Sequence, residues 1–72
     1  MSLAEFSAIQ SGMSYAQVVA IVGGDGTVLS ESDLAGYHTV MYKWDGDGSL
    51  GANANVLFQN DGEVTKAQYG LQ

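Results

Sequence analysis

The sequence predicts an α+β domain of order ααββββ, a helix–loop–helix packed on one face of a four-stranded antiparallel sheet. Three observations predict it. The first third of the chain carries two short helix patterns, each with its own start and stop signals. After Gly26 the apolar period changes to two, the period of a strand. Helices and strands also come in separate runs, which favours helices gathered on one side of an antiparallel sheet.

The first helix pattern begins at Ser2. A serine with Glu5 three residues later has the form of a capping box, in which each side chain satisfies the other's backbone N–H. Leu3, Phe6 and Ile9 then form one apolar stripe, and Gly12 is the expected stop, because glycine readily takes the left-handed conformation past a helix end. Ser14 and Gln17 repeat the box. Val18, Val19, Ile21 and Val22 give the second helix a broad apolar face, and Gly23-Gly24 ends it. Helices this short need burial against another element to persist.

Thr27 to Glu31 reads as a weak first strand and Ser32 to Gly36 as a loop. Tyr37 to Trp44 is a strong strand of β-branched and aromatic residues, with His38, Val40, Tyr42 and Trp44 on one face and Tyr37, Thr39, Met41 and Lys43 on the other. Asp45 to Gly51 is a glycine-rich connection. Ala52 to Gln59 is the third strand. Its Ala54, Val56 and Phe58 are the more apolar set and are expected to face the helices, leaving Asn53, Asn55, Leu57 and Gln59 on the open face. Asn60-Asp61-Gly62 is a hairpin turn. Glu63 to Leu71 closes the sheet, with Lys66 and Gln68 on one face and Ala67, Tyr69 and Leu71 on the other.

The 72 residues are expected to form a single domain, residues 1–72. A chain of this length buries only about 60% of its unfolded surface, and with no cysteine it has no disulfide to reinforce it. Two lysines, no arginine and eight acidic residues give a formal charge of −6. Phosphate backbones and anionic membranes are bound by clustered Lys and Arg, so nucleic acid is excluded as the expected partner and direct membrane insertion is not expected. No segment is long and apolar enough to span a bilayer.

Chemistry-bearing motifs are few. Asp45-Gly-Asp47-Gly-Ser49 invites comparison with a calcium loop, but the positions that would need glycine and glutamate hold Leu50 and Val56. A flexible acidic hairpin is the better reading. Gly23-Gly24-Asp25-Gly26 follows a helix where a nucleotide cradle precedes one, and it has no lysine. His38 stands in a strand with no sequence neighbour to make it a base, and no serine has a nucleophile signature. The expectation is a non-enzymatic protein without catalytic residues, metal ligands or cofactor. Tyr37, Tyr42, Trp44, Phe58 and Tyr69 divide between the core and an exposed aromatic patch that would suit a binding face.

The pattern Phe6-x-x-Ile9-x-x-Gly12-Met13-Ser14-x-x-Gln17-Val18-x-x-Ile21-x-Gly23 resembles the repeat unit of the β-lactamase inhibitory protein family. The run Trp44-Asp45-x-Asp47-Gly48, the strand ending at Phe58, Asp61-Gly62 and the closing Val64-x-Lys66-x-Gln68-Tyr69 extend the resemblance over nearly the whole chain. The helix–Gly-Met-Ser–helix part is also similar to small outer-membrane lipoproteins of the barrel-assembly machinery. The inhibitor resemblance implies a domain that grips a protein through its open sheet face and one hairpin loop. In that family two units stand in tandem and are stapled by a cysteine pair; this chain has one unit and no cysteine. Counting back without gaps from Phe58, the family's inserting aspartate falls at Gly51, and Leu50 is the nearest bulky residue to its inserting aromatic.

These readings together nominate Trp44, Asp45, Asp47, Ser49, Leu50, Asn53 and Asn55 as partner-binding residues. The partner implied is a protein, either a β-lactamase or a cell-envelope component in a structural or assembly role. The location implied is extracytoplasmic, secreted or lipid-anchored. A homodimer, through sheet edges or by exchange of the helix pair about Gly23–Gly26, is the expected route to a two-unit surface.

Overall fold

A computed structural model describes residues 1–72, apart from the side chain of Ser49. Helices α1 (Leu3–Ala8) and α2 (Tyr15–Val22) precede strands β1 (Thr27–Leu34), β2 (Tyr37–Asp45), β3 (Gly48–Gln59) and β4 (Gly62–Leu71). The strands form one sheet in the order β1-β2-β3-β4, every neighbouring pair antiparallel. This is the predicted ααββββ arrangement. No helix is long and apolar enough to cross a membrane.

Both capping boxes form. Ser2 Oγ accepts from the Glu5 N–H while Glu5 Oε1 accepts from the Ser2 N–H. Ser14 and Gln17 do the same at α2. Helix α2 stops at Gly23, whose φ of 88° is the left-handed conformation expected of a glycine cap. Helix α1 stops earlier than Gly12: Ile9 is already extended. Lys66 explains the early end. Its ammonium donates to the carbonyls of Phe6 (2.7 Å) and Ile9 (2.9 Å) and lies 4.5 Å from the centre of the Phe6 ring. A cation on the terminal carbonyls replaces the glycine stop, and Ile9 turns into the core, 2% exposed.

The joint between the helices is tied to the start of β4. The Gly12 N–H donates to Glu63 O and the Glu63 N–H donates to Met13 O. Asp61 Oδ1 accepts from the Tyr15 N–H. The helices therefore sit over β3 and β4. Ile9, Val18, Trp44, Ala52, Ala54, Val56, Phe58 and Leu71 make the core, with Phe6, Met13, Tyr15, Val19, Val22 and Tyr42 packed around it. The register aligns Val40 with Phe58, Tyr42 with Val56 and Trp44 with Ala54, so the two sets of alternating apolar residues share the helix-facing side.

Three expectations change. The segment Ser32–Leu34 is strand, not loop: Ser32, Asp33 and Leu34 pair with Thr39, His38 and Tyr37. Only Ala35 and Gly36 turn the chain, with φ of 53° and 84°, the two-residue geometry that matches strand twist. The Asp45–Gly51 connection is shorter than its sequence suggests, since β2 runs through Asp45 and β3 opens at Gly48 opposite Leu71. Leu71 does not share a face with Tyr69. Gly70, at φ 68°, breaks the alternation and turns Leu71 into the core while Tyr69 stays exposed.

Candidate protein-binding site

The face of the sheet away from the helices is built by alternation. Rows run across it: Lys43–Asn55–Ala67, Met41–Leu57–Thr65 and Asp45–Asn53–Tyr69. Lys43, Asn53, Asn55, Leu57 and Met41 are half-buried by their neighbours, and Tyr69 is 65% exposed. Amides beside an aromatic ring and scattered apolar side chains suit a wet contact with a protein.

The loop at one end of this face has a fixed base. The Gly46 N–H donates to Ala52 O (2.8 Å), the Asp47 N–H to Met1 O (2.8 Å) and the Gln72 N–H to Asp47 O (2.9 Å). The Leu3 N–H in turn donates to Gln72 O. The strand ends crowd so closely here that a Cβ on Gly48 would run into the carbonyl of Gly70, and one on Gly46 into Leu71 and Ala52. Beyond this base the chain projects. Gly51 takes a φ of 82°, with open space around it, and its carbonyl accepts from Asn53 Nδ2 (3.0 Å). Leu50 at the tip is fully exposed.

The structure brings most of the nominated residues to this end. Asp45 and Asp47 are exposed, Leu50 crowns the tip, and Asn53 and Asn55 lie on the adjoining open face. Lys43 Nζ is 3.4 Å from Asp45 Oδ1, an exposed pair. The Ser49 side chain lies outside the described residues. Trp44 is the exception: it is 5% exposed, on the helix side, with its indole N–H donating to Gly24 O (2.9 Å). Period two explains this, because Trp44 and Asp45 are successive strand residues and point to opposite faces. Trp44 therefore packs in the core against Tyr15, Tyr42 and Gly26, and its ring is not part of the open face.

The sequence groups Tyr69 with Ala67 without saying which side of the sheet they take; the register across from Asn53 puts Tyr69 on the open face. Sequence reasoning also missed Tyr15. That ring stacks on Tyr42 (centroids 4.2 Å apart) and meets Phe58 edge-on (5.8 Å). Its hydroxyl accepts from the Gly26 N–H and donates to Asp25 Oδ1. Burial is the main reason that its pKa is raised. The available signal was its place directly after the Ser14 cap, where the first helical turn leans on the sheet.

His38 is on the helix side, away from this site. Its Nδ1 is 2.7 Å from Asp33 Oδ1 and its Nε2 is 2.9 Å from Glu31 Oε2. The hydrogen bond with Asp33 raises its pKa above the usual histidine value, with the two nearby negative charges adding to the effect. Among the described residues no three His, Cys, Asp or Glu side chains converge as metal ligands.

None of the curated proteins compared matches the chain. The family model described as beta-lactamase inhibitor (BLIP) matches residues 2–72, which takes in both helices, the whole sheet and the projecting loop. With the fold and the exposed loop in agreement, the chain belongs to the beta-lactamase inhibitor (BLIP) family.

Proposed function

We propose that this protein is a non-enzymatic binding domain that inhibits a β-lactamase, presenting the open sheet face and the Asp45–Asn53 loop to the enzyme. The observation that carries the reading is the fully exposed Leu50 on a loop whose base is locked by main-chain hydrogen bonds. A large apolar side chain held away from the body by a rigid base has little to stabilise it except a partner's pocket. Asp45 and Asp47 would form a charged rim around it, and Asn53, Asn55 and Tyr69 a flanking hydrogen-bonded surface. Family membership supports the enzyme as partner. The reading carries an extracytoplasmic location, secreted or lipid-anchored, where β-lactamases act.

The test is an inhibition titration against a panel of class A β-lactamases, with the protein's solution mass measured on the same sample. Saturable inhibition by the monomer, weakened by Leu50→Ala, is expected. Inhibition only by a dimer would shift the site to a surface shared between two copies. No inhibition across the panel would overturn the reading and turn the search to an envelope protein as partner.

A further inference from the structure

The helices leave part of their own side of the sheet uncovered. All eight residues of β1 are exposed, and Val28, Leu29 and Leu34 are at least half so. As the end of the strand order, β1 also has a free main-chain edge. On the helix side its register places Val28, Glu31 and Asp33 beside Tyr42, Val40 and His38. Next to them lies a groove of about 240 Å³ lined by Tyr15, His38, Val40, Tyr42, Phe58 and Asp61.

The charges around this surface have one sign. Glu31 and Asp33 stand two residues apart on one face of β1, Asp61 closes one end of the groove, and Asp25 holds the Tyr15 hydroxyl. Both lysines are elsewhere: Lys43 is on the open face beside Asp45, and Lys66 is on the α1 carbonyls. The one cation within reach is His38 in its protonated form, already placed between Asp33 and Glu31.

We propose that the β1 edge receives an extended basic segment of a protein partner as a fifth strand, its alternate Lys or Arg side chains meeting Glu31 and Asp33 and their stems lying toward the Tyr15–Tyr42–Phe58 groove. Strand addition supplies main-chain hydrogen bonds, and side chains two apart in the added strand fall on one face. Opposite charges directly across a strand pair are favourable, and like charges are not. That last point argues against a second copy in this place. Pairing β1 with β1 of another molecule would bring two Glu31–Asp33 sets together with no lysine between them. The surface is also separate from the open face and loop, so one domain could hold two partners, or two parts of one.

His38 sets a condition on this binding. A neutral imidazole has one N–H and cannot donate to both carboxylates, so the two-sided contact belongs to the imidazolium. The groups facing it are Glu31 and Asp33 from β1, Asp61 from the β3–β4 turn and Tyr15 from α2. Protonated, it competes with the incoming cations for the same carboxylates; neutral, it releases them.

The experiment titrates the isotope-labelled full chain with a capped peptide of alternating arginine and valine, and with the same peptide carrying citrulline for arginine. The arginine peptide should perturb and protect the amides of 28–34 and bind about tenfold more tightly, the worth of two surface charge pairs. That margin should shrink with salt and grow as pH rises through the His38 titration. Glu31→Gln with Asp33→Asn should abolish it, whereas Asp45→Asn with Asp47→Asn, which removes the same charge, should not. Equal affinity for the citrulline peptide, or perturbations centred on Asn53, Asn55 and Ala67, would overturn the proposal. Protection of β1 that grows with protein concentration in the absence of peptide would overturn it in favour of a second copy.

Discussion

Strands β3 and β1 share one sheet and live in different surroundings. In β3, Ala52, Ala54, Val56 and Phe58 are all buried beneath the helices, at 7% exposure or less. In β1 every residue is exposed on both faces. The contrast follows from where the helix pair is tied: Gly12, Met13 and Tyr15 are bonded to Asp61 and Glu63, and Lys66 grips α1, all on β4 or its turn. Stability is therefore concentrated at one side of the molecule, and the other is left free to take part in contacts without disturbing the core.

Substitutions can break or sharpen that contrast. Phe58→Ala should have the largest effect, about 3–5 kcal/mol by denaturant unfolding, as for other large-to-small core changes. Marginal stability scales at about 0.05–0.15 kcal/mol per residue, so this one change would remove much of what a domain of this size has. Trp44→Phe should cost about 1–2 kcal/mol by leaving the Gly24 carbonyl without its indole donor, and it should weaken inhibition only through stability. Ser14→Ala, which opens the α2 cap, should cost about 1 kcal/mol. Leu34→Ala, at 77% exposure, should stay within about 0.5 kcal/mol; a loss like that of Phe58 would erase the distinction between the two strands.

The smallest effect concerns His38. Its folded pKa is raised, so its contribution to stability is complete below the unfolded value of about 6.5 and is lost as pH rises through the folded value. Amide exchange in 28–34, corrected for the intrinsic pH dependence, should speed up across that window while exchange in β3 does not. Asp33→Asn should lower the histidine's titration point, measured from its ring proton shifts.

The legible parts of the fold are those encoded locally. Both caps and the Gly23 stop need only neighbours in sequence and lie where their patterns predict, and the four period-two segments all form strands, with shifted ends. What was illegible depends on distant partners. The end of α1 is set by Lys66, some sixty positions away. The Ser32-Asp33-Leu34 stretch becomes strand because β2 is beside it, a tertiary effect that overrides weak propensity. The turn at Ala35 was hidden because alanine rarely takes a positive φ. At the candidate site, the exposed acids, Leu50 and the two amides could be read from the loop and the alternation. The side chosen by Trp44 could not, until the apolar faces of β2 and β3 were known to align.

The clasp between the helix joint and β4 also dictates an order of assembly. The helices are made first, yet their anchors at Asp61, Glu63 and Lys66 come near the end of the chain. Helices of six and eight residues do not persist alone. During synthesis the helices of the first third therefore lack their anchors until the last hairpin emerges. Folding is then gated by a contact spanning some fifty residues, which makes it slower than the short helices suggest.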